Sequence, residues 1–398
     1  MNDTFKKAVP LLEKLEKAGF EAVFVGGSVR DLLMDRDIND VDIATSATPS
    51  EVKGVFRNTV DVGIEHGTVL VIEEGEAYEI TTFRAESEYV DNRRPKEVVF
   101  IRTLEEDLKR RDFTMNAIAM DRQGQIIDPF NGRESIERAV IDTVGDPDER
   151  FGEDALRMMR AVRFVSQLRF ACTERVVAAL GHNASLLGHI SVERITAEFE
   201  KTMQGPAAAE ALQLLVSTGL YRYLPGAEDK REEFGAFLSK DCSSLHAIEE
   251  KWAALSICFG LDKQQMNDFL RSWKLPAKKM KAVKNIAETS GRGLFTDDVE
   301  LFTAGLETMA SACRVHHALA GSDCSESVRQ LTERWNRLPI QSKAELAVNG
   351  NDLAEWCGKD KGPWIGELLD SIIAKVLAHE VKNEREAIYK AVRECNQK

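Results

Sequence analysis

The chain has 398 residues, of which 43% are hydrophobic and 30% charged, with a formal net charge of −13. That length exceeds one ordinary core and predicts two to four domains. No apolar run nears the roughly 18 residues of a membrane helix, and the acidic balance confines any nucleic-acid contact to local basic grooves. Seven cysteines, odd in number and without a CxxC, argue against a disulfide framework or zinc ribbon and fit a reducing, cytoplasmic setting.

In chain order, "MNDTFKKAVPLLEKLEKAGF" predicts an amphipathic helix ending near Gly19 rather than a signal peptide, because Lys6, Lys7, Lys14 and Lys17 interrupt any apolar core segment. "EAVFV" (21–25) predicts a strand, followed by Gly26-Gly27 and the helical "SVRDLLM". "NDVDIATS" (39–46) predicts a short strand, and "TPSEVKGVF" a helix with Thr48 as N-cap, Pro49 in the first turn and Glu51 three residues on. "GTVLVIEEGEAYEITTF" (67–83) predicts two strands turning at Glu74-Gly75, and "NAIAMD" and "IID" predict further short strands. Beyond about residue 150 helical spacing takes over, from "EDALRMMRAVRFVSQL" to "IGELLDSIIAKVLAHEV". Breaks are expected at 145–150, 203–206 and 288–293. No fixed-period repeat appears, and the five tryptophans of the helical half are expected in cores.

Asp40 and Asp42 flank Val41 on a predicted strand, where residues two apart share a side. Two converging carboxylates repel unless a cation lies between them. Hard oxygen donors suit Mg²⁺, held through one or two carboxylates and substrate phosphates, and a pair of such ions supports in-line displacement at phosphorus. A solvated Asp-rich turn is the competing reading of a lone DxD. Upstream, Gly26-Gly27-Ser28 joins strand to helix, where bare backbone approaches a phosphate closely, and Arg30 reaches the same place. Glu79 is a third carboxylate on a candidate neighbouring strand, or an ordinary exposed strand residue.

"FVGGSVRDLL", "DVDIATSA", "YEITTFR", "RRDFTMNAIAMD", "IDPFNGR" and "EDALRMMRAVRF" resemble, in order and spacing, the class II tRNA nucleotidyltransferases, the CCA-adding enzymes, in their bacterial Bacillus-type branch. The strong motifs cover about residues 20–200. "ISVERI" and "ELAVNGNDL" extend the resemblance along most of the chain, while between roughly 225 and 340 it rests on helical character alone.

The resemblance implies an α+β fold: a polymerase-β-like nucleotidyltransferase head with a mixed sheet (1–145), then an all-α neck (146–205), body (206–305) and tail (306–398). It implies template-independent addition of CCA to the 3′ end of tRNA from CTP and ATP, with release of pyrophosphate. Asp40 and Asp42 would hold Mg²⁺, with Glu79 assisting. Gly27, Arg30 and Arg111 would hold the nucleotide's phosphates and sugar, joined by Arg160 and Arg163, unless those two form a basic patch for the RNA backbone.

Asp154 and Arg157 lie three apart, on one face of the expected helix. The resemblance gives them the reading of the base; helix spacing alone allows a mere surface ion pair. Cytosine and adenine both place an exocyclic amine beside an acceptor ring nitrogen, so a carboxylate and a guanidinium match both. Uracil and guanine present the reverse order, at a cost of about 1–3 kcal/mol per unpaired buried group.

The polar stretch "AESEYVDNRRP" (85–95), with Arg93-Arg94 before Pro95, is expected to be a mobile loop, and the resemblance implies that its full length favours complete CCA addition over CC addition. The tRNA acceptor arm would lie along body and tail, and relatives make a homodimer plausible. A poly(A) polymerase, a partial CC- or A-adding enzyme, a small-molecule nucleotidyltransferase and a non-catalytic RNA-binding protein are the alternatives. No dinucleotide or P-loop motif supports a different nucleotide fold.

Overall fold

The structure, a computed structural model, describes residues 1–38, 40–63, 67–86, 89–90, 94–95, 98–292 and 297–395. It divides into two units, Met1–Arg231 and Glu232–Lys398.

In the first unit, Asn2 caps α1 (Asp3–Lys17) by accepting from Phe5 N, and the helix buries Phe5, Ala8, Leu11, Leu12 and Leu15 along one stripe. β1 (Ala22–Val25) leads through Gly26, whose φ of 75° suits glycine, into α2 (Gly27–Leu33). Next come β2 (Asp42–Thr45), α3 (Pro49–Val55), β3 (Thr59–Asp61), β4 (Thr68–Glu73) and β5 (Glu76–Thr82). Thr48 and Glu51 form the expected capping box on α3, and β4 and β5 turn at Glu74-Gly75, both at positive φ. β6 (Arg84–Glu86) pairs with β9 (Val98–Phe100), and β7 (Tyr89–Val90) with β8 (Arg94–Pro95). Much of the stretch expected as a loop is thus short antiparallel ribbon, while Arg93 lies outside the described residues. α4 (Leu104–Lys109), β10 (Ala119–Met120), β11 (Ile126–Ile127) and α5 (Gly132–Glu137) complete the head.

The main sheet has seven strands in the order β11-β10-β1-β2-β5-β4-β3. Only β2 and β5 run parallel; all the other pairs are antiparallel, so the sheet is mixed. Its central strands are buried on both faces. Phe24, Ile43 and Ile80 pack with α1 in one core, and Val23, Val25, Ala44 and Phe83 pack with Ala117 and Ala119 in the other. This explains why "AVFV" is apolar throughout rather than alternating.

Helices dominate from there: after β12 (Val140–Ile141) come α6 (Pro147–Glu153), α7 (Leu156–Leu168), α8 (Glu174–Asn183), α9 (Val192–Gln204) and α10 (Ala208–Ser217), with β13 (Ala171–Cys172), the parallel partner of β12, between α7 and α8. α7 is buried along most of its length and packs against α9 and α10.

The second unit is helical: α11 (Arg231–Leu238, starting on the last residue of the first unit), α12 (Ile248–Cys258), α13 (Lys263–Ser272), α14 (Ala277–Arg292), α15 (Asp298–Ala304), α16 (Leu306–Ala320), α17 (Ser325–Arg337), α18 (Gly350–Cys357), α19 (Trp364–Leu377) and α20 (Arg385–Cys395). Trp252 and Trp273 are buried edge to face, 4.9 Å apart. The break expected at 288–293 does not occur within the described residues: α14 continues to Arg292, because Val283, Ile286, Ala287 and Ser290 keep a buried helical face. The six cysteines described are all free, and no helix is long and apolar enough to cross a membrane among the described residues.

Gly205, at the end of α9, has ordinary φ (−73°), so space alone demands glycine there. A Cβ would stand 2.8 Å from the carbonyl carbon and oxygen of Ser166 and closer still to its hydroxyl. Gly205→Ala should therefore destabilise the first unit by roughly 1–3 kcal/mol, measured as a fall in the urea midpoint with an unchanged slope.

Candidate active site

The turn from β1 into α2, the start of β2, the segment 110–116 and the helices α7 and α9 together enclose a cavity of about 610 Å³ in the first unit. Its lining includes Gly26, Gly27, Arg30, Asp42, Arg84, Arg110, Arg111, Asp112, Asn116, Asp154, Arg157, Arg160, Arg163, Phe164, Arg194 and Lys201. Nine lining side chains are cationic and three are carboxylates, on a chain of net charge −13. Eight residues singled out from the sequence meet here: Gly27, Arg30, Asp42, Arg111, Asp154, Arg157, Arg160 and Arg163. Asp40 and Glu79 stand outside the lining.

Gly26 provides the tightest approach. A Cβ on it would meet Nη1 of Arg111 at 3.0 Å and Oδ2 of Asp42 at 3.8 Å. Asp42 opens β2 in register with Val25 and, on the parallel side, with Glu79. Asp40 is exposed and precedes the strand, which starts only at Asp42. The reason is local: β1 ends at Val25, where Gly26 turns the chain away, so nothing pairs with residues 40–41 on that side. Asp42 is exposed at the cavity mouth, yet its carboxyl is raised from the ordinary value because the protein crowded around it displaces part of its water and because it faces the charge of Glu79; Arg111 opposes this, and Asp40 adds a further push upward.

Buried carboxylates hold the arginines in place. Asp107, 1% exposed, binds Arg110 at 2.8 Å and Arg111 at 3.1 Å. Burial alone would raise its pKa, but the two guanidinium groups outweigh it and hold it low. Asp112 accepts from Arg160 Nε at 2.7 Å and from Asn116 Nδ2 at 3.1 Å. Against burial, Arg160 and Asn116 bring its pKa to about 2. Asn116 Oδ1 accepts from Arg30 Nη1 at 2.7 Å, so one chain of bonds joins Arg30 on α2 to Arg160 on α7. Arg163 donates to Glu198 on α9 at 3.2 Å; burial and the nearby Arg160 lower its pKa. Phe164 lies beneath three guanidinium groups, those of Arg163 (4.4 Å), Arg30 (5.3 Å) and Arg160 (5.5 Å).

Asp154 departs from the expected placement. It is extended (φ −136°, ψ 103°) between α6 and α7 rather than inside one helix, so it shares no helix face with Arg157. Its carboxylate accepts from Leu156 N at 3.0 Å, which starts α7, and from Arg194 Nη2 at 2.9 Å. Arg157 donates to Glu153, to Arg150 O at 3.2 Å and to Arg110 O at 3.1 Å. Both still reach the cavity, from a joint rather than a continuous row.

Sequence reading missed Asn116 as the bridge, Phe164 as the platform and Arg194 as the partner of Asp154. The repeated presence of Arg, Asp and Asn in "RRDFTMN" was a signal for Asn116; nothing local announced Arg194. Among the described residues no group of three or more His, Cys, Asp or Glu side chains is placed to hold a metal ion.

Residues 22–142 match the family model "Poly A polymerase head domain", residues 169–230 "Probable RNA and SrmB- binding site of polymerase A", and residues 243–392 a model of tRNA nucleotidyltransferase domain 2. The CCA-adding enzyme of Geobacillus kaustophilus (strain HTA426) is 51% identical over 399 residues, covering 100% of this chain and 98% of the relative. That of Listeria monocytogenes serotype 4a (strain HCC23) is 47% identical, covering 97% of each. The crystal structure of the Bacillus stearothermophilus CCA-adding enzyme in complex with CTP superposes with a TM-score of 0.90 at 48% identity, covering 100% of this chain and 98% of that one.

Asp112 gives a pH signature. Its folded pKa of about 2 lies below the ordinary value of 3.8. The stabilisation is thus complete above about pH 4 and is lost as pH falls through 2, amounting to roughly 2 kcal/mol. Asp112→Asn should be less stable at pH 7 and should flatten the acid limb of the stability curve, measured by urea unfolding from pH 2 to 7.

Proposed function

The chain belongs to the family of CCA-adding enzymes, the tRNA nucleotidyltransferases, and on that premise we propose how its cavity carries out the reaction. The enzyme adds C, C and A to the 3′ end of tRNA from CTP and ATP without a nucleic-acid template. Its head is of the polymerase-β type, and neck, body and tail at 146–205, 206–305 and 306–398 are the division we adopt. The observation that carries the site reading is the convergence of nine cationic side chains on one cavity, with Asp42 and the Asp154–Arg157 joint in its wall.

A triphosphate brings about four negative charges that must shed water to enter. Arg30, Arg111, Arg160 and Arg163 replace that water, and Gly26 and Gly27 let the phosphates approach bare backbone. The tRNA 3′-hydroxyl oxygen attacks the α-phosphorus and loses its proton to solvent. A new P–O bond forms, the α–β bridging bond breaks, and pyrophosphate leaves with the electron pair. Arginines already fixed by Asp107, Asp112 and Glu198 meet that charge without reorganising.

The residues fit a divalent cation. The Asp42 carboxyl is raised by the loss of part of its water and by the charges of Glu79 and Asp40, so a cation there relieves a repulsion already present, and carboxylate oxygens suit Mg²⁺. Asp40 and Asp42 would hold it together with phosphate oxygens of the substrate, and Glu79 would support through its charge beside Asp42 rather than as a third ligand. When bound, the ion supplies activation of the attacking hydroxyl and stabilisation of charge on phosphorus.

Asp154 accepts from the exocyclic amine of cytosine or adenine and Arg157 donates to the ring nitrogen beside it, so one pair admits both bases. The acceptor arm and 3′ end of tRNA are the polymer we place at the site, and the free cysteines suit the cytoplasm. A poly(A) polymerase, though it shares the head, is not favoured, because the relatives matched along the whole chain are CCA-adding enzymes.

A tRNA ending at its discriminator base should take up two CMP from CTP alone; no incorporation would sink the reading. Asp42→Ala should lower transfer at least ~10³-fold while gel-shift affinity for tRNA stays within a few-fold. Arg157→Ala should narrow the preference for CTP over UTP by ~10–100-fold, read from kcat/KM for each nucleotide.

A further inference from the structure

The first unit holds a further cavity, of about 530 Å³. α7 separates it from the arginine-lined one: Arg160 and Phe164 line that cavity, Val165 lines this one. Its floor is apolar, built from Val165 near the end of α7, Phe170, Val177 on α8 and Leu214 on α10. Val165 and Phe170 are buried. Two groups of opposite charge join the lining, Arg169 and Glu210, and both are exposed. Glu210 precedes Leu214 by four residues on α10, so its carboxylate stands on the same helix face as the floor. Among the described residues neither charged side chain has an ion-pair or hydrogen-bond partner.

Two features mark this cavity as built rather than accidental. Arg169 ends α7 in the left-handed region (φ 60°, ψ 32°), where glycine or asparagine is the unstrained choice. A cation at a helix C-terminus is ordinary, but a strained one whose guanidinium meets no partner is not accounted for by the fold. The walls are also fixed before anything enters. Ala207 N donates to Ser166 O at 2.9 Å, which ties the start of α10 to α7, and β13 is held against β12. Cys172, in the wall, has its thiol pushed up to about 12 by burial and by the charge of Asp142. It therefore stays protonated and offers no nucleophile, so binding here is non-covalent.

We propose that this cavity binds a free α-amino acid with a large apolar side chain. Arg169 pairs with its carboxylate, Glu210 with its ammonium group, and the apolar floor covers its side chain. Sites for small molecules span roughly 300–1,000 Å³ and combine apolar walls with a few placed polar groups, as this one does. A nucleotide fits less well, because a single guanidinium beside a carboxylate would face several phosphate charges. A fatty acid leaves Glu210 unanswered. A divalent cation finds one carboxylate and no other oxygen-bearing side chain in the lining. The site stands apart from nucleotide transfer and does not rest on that reading.

The test uses the full chain and L-phenylalanine, followed by isothermal titration calorimetry at neutral pH. The wild-type chain should bind it saturably, and saturating CTP should not displace it. Phenylalaninamide keeps only the ammonium group and phenylpropionate only the carboxylate, so each should bind the wild type roughly ten-fold more weakly. Arg169→Gly, which suits the backbone, should weaken L-phenylalanine roughly ten-fold and phenylalaninamide not at all. Glu210→Gln should weaken L-phenylalanine to a similar extent and phenylpropionate not at all. Both variants should add CMP to tRNA at the wild-type rate. Affinity for L-phenylalanine that neither substitution lowers overturns the proposal. So does any of three results on the wild-type chain alone: no saturable binding, displacement by CTP, or equal affinity for all three compounds.

Discussion

A guanidinium group is useful to a polyphosphate only if it is already in position and not collapsed onto the nearest carboxylate of an acidic protein. This chain meets that constraint by burying the carboxylates and leaving the arginines at the cavity wall. Asp107, Asp112 and Glu198 are almost fully covered, yet each is bonded to an arginine that lines the cavity. Two of those carboxyls, on Asp107 and Asp112, have their pKa lowered because the cations outweigh burial, that of Asp112 to about 2. Removing one partner from such a pair leaves an uncompensated buried charge, so the cavity and the stability of the first unit are built from the same bonds.

The fold serves this arrangement. The mixed sheet sets Asp42 beside Glu79 because β2 and β5 run parallel and in register there. Gly26 ends β1 beside the same point and leaves space that Arg111 fills. α7 presents Arg157, Arg160 and Arg163 while Phe164 closes the base of the cluster beneath three cations. Buried on most sides, α7 has little freedom to move these groups independently.

Much of this was legible in the sequence where the signal was local. Thr48 and Glu51 mark a helix start by hydrogen bonds three residues apart, and Glu74-Gly75 marks a hairpin by the positive φ it needs; both are found as read. Asp154 was not legible in this way. The apolar period of α7 continues backward through Ala155, and an i, i+3 spacing looks the same whether the aspartate sits in the helix or caps its start. Its preference for capping was the available clue. Asp40 fell outside its strand because the partner strand ends first, a fact of pairing rather than of composition. Arg194 and Asn116 take their meaning from residues 40 and 86 positions away, and no periodicity carries that information.

The bond from Arg157 to the carbonyl of Arg110, like that from Arg160 to Asp112, ties α7 to a segment more than forty residues earlier. Those two stretches therefore make one mechanical piece. A recombinant joining the front of one ancestor to the back of another at about residue 145 would inherit mismatched halves of a clasp, even if each parent worked well. A change at residue 112 thus leaves its mark on α7, through the guanidinium of Arg160 that it leaves unpaired.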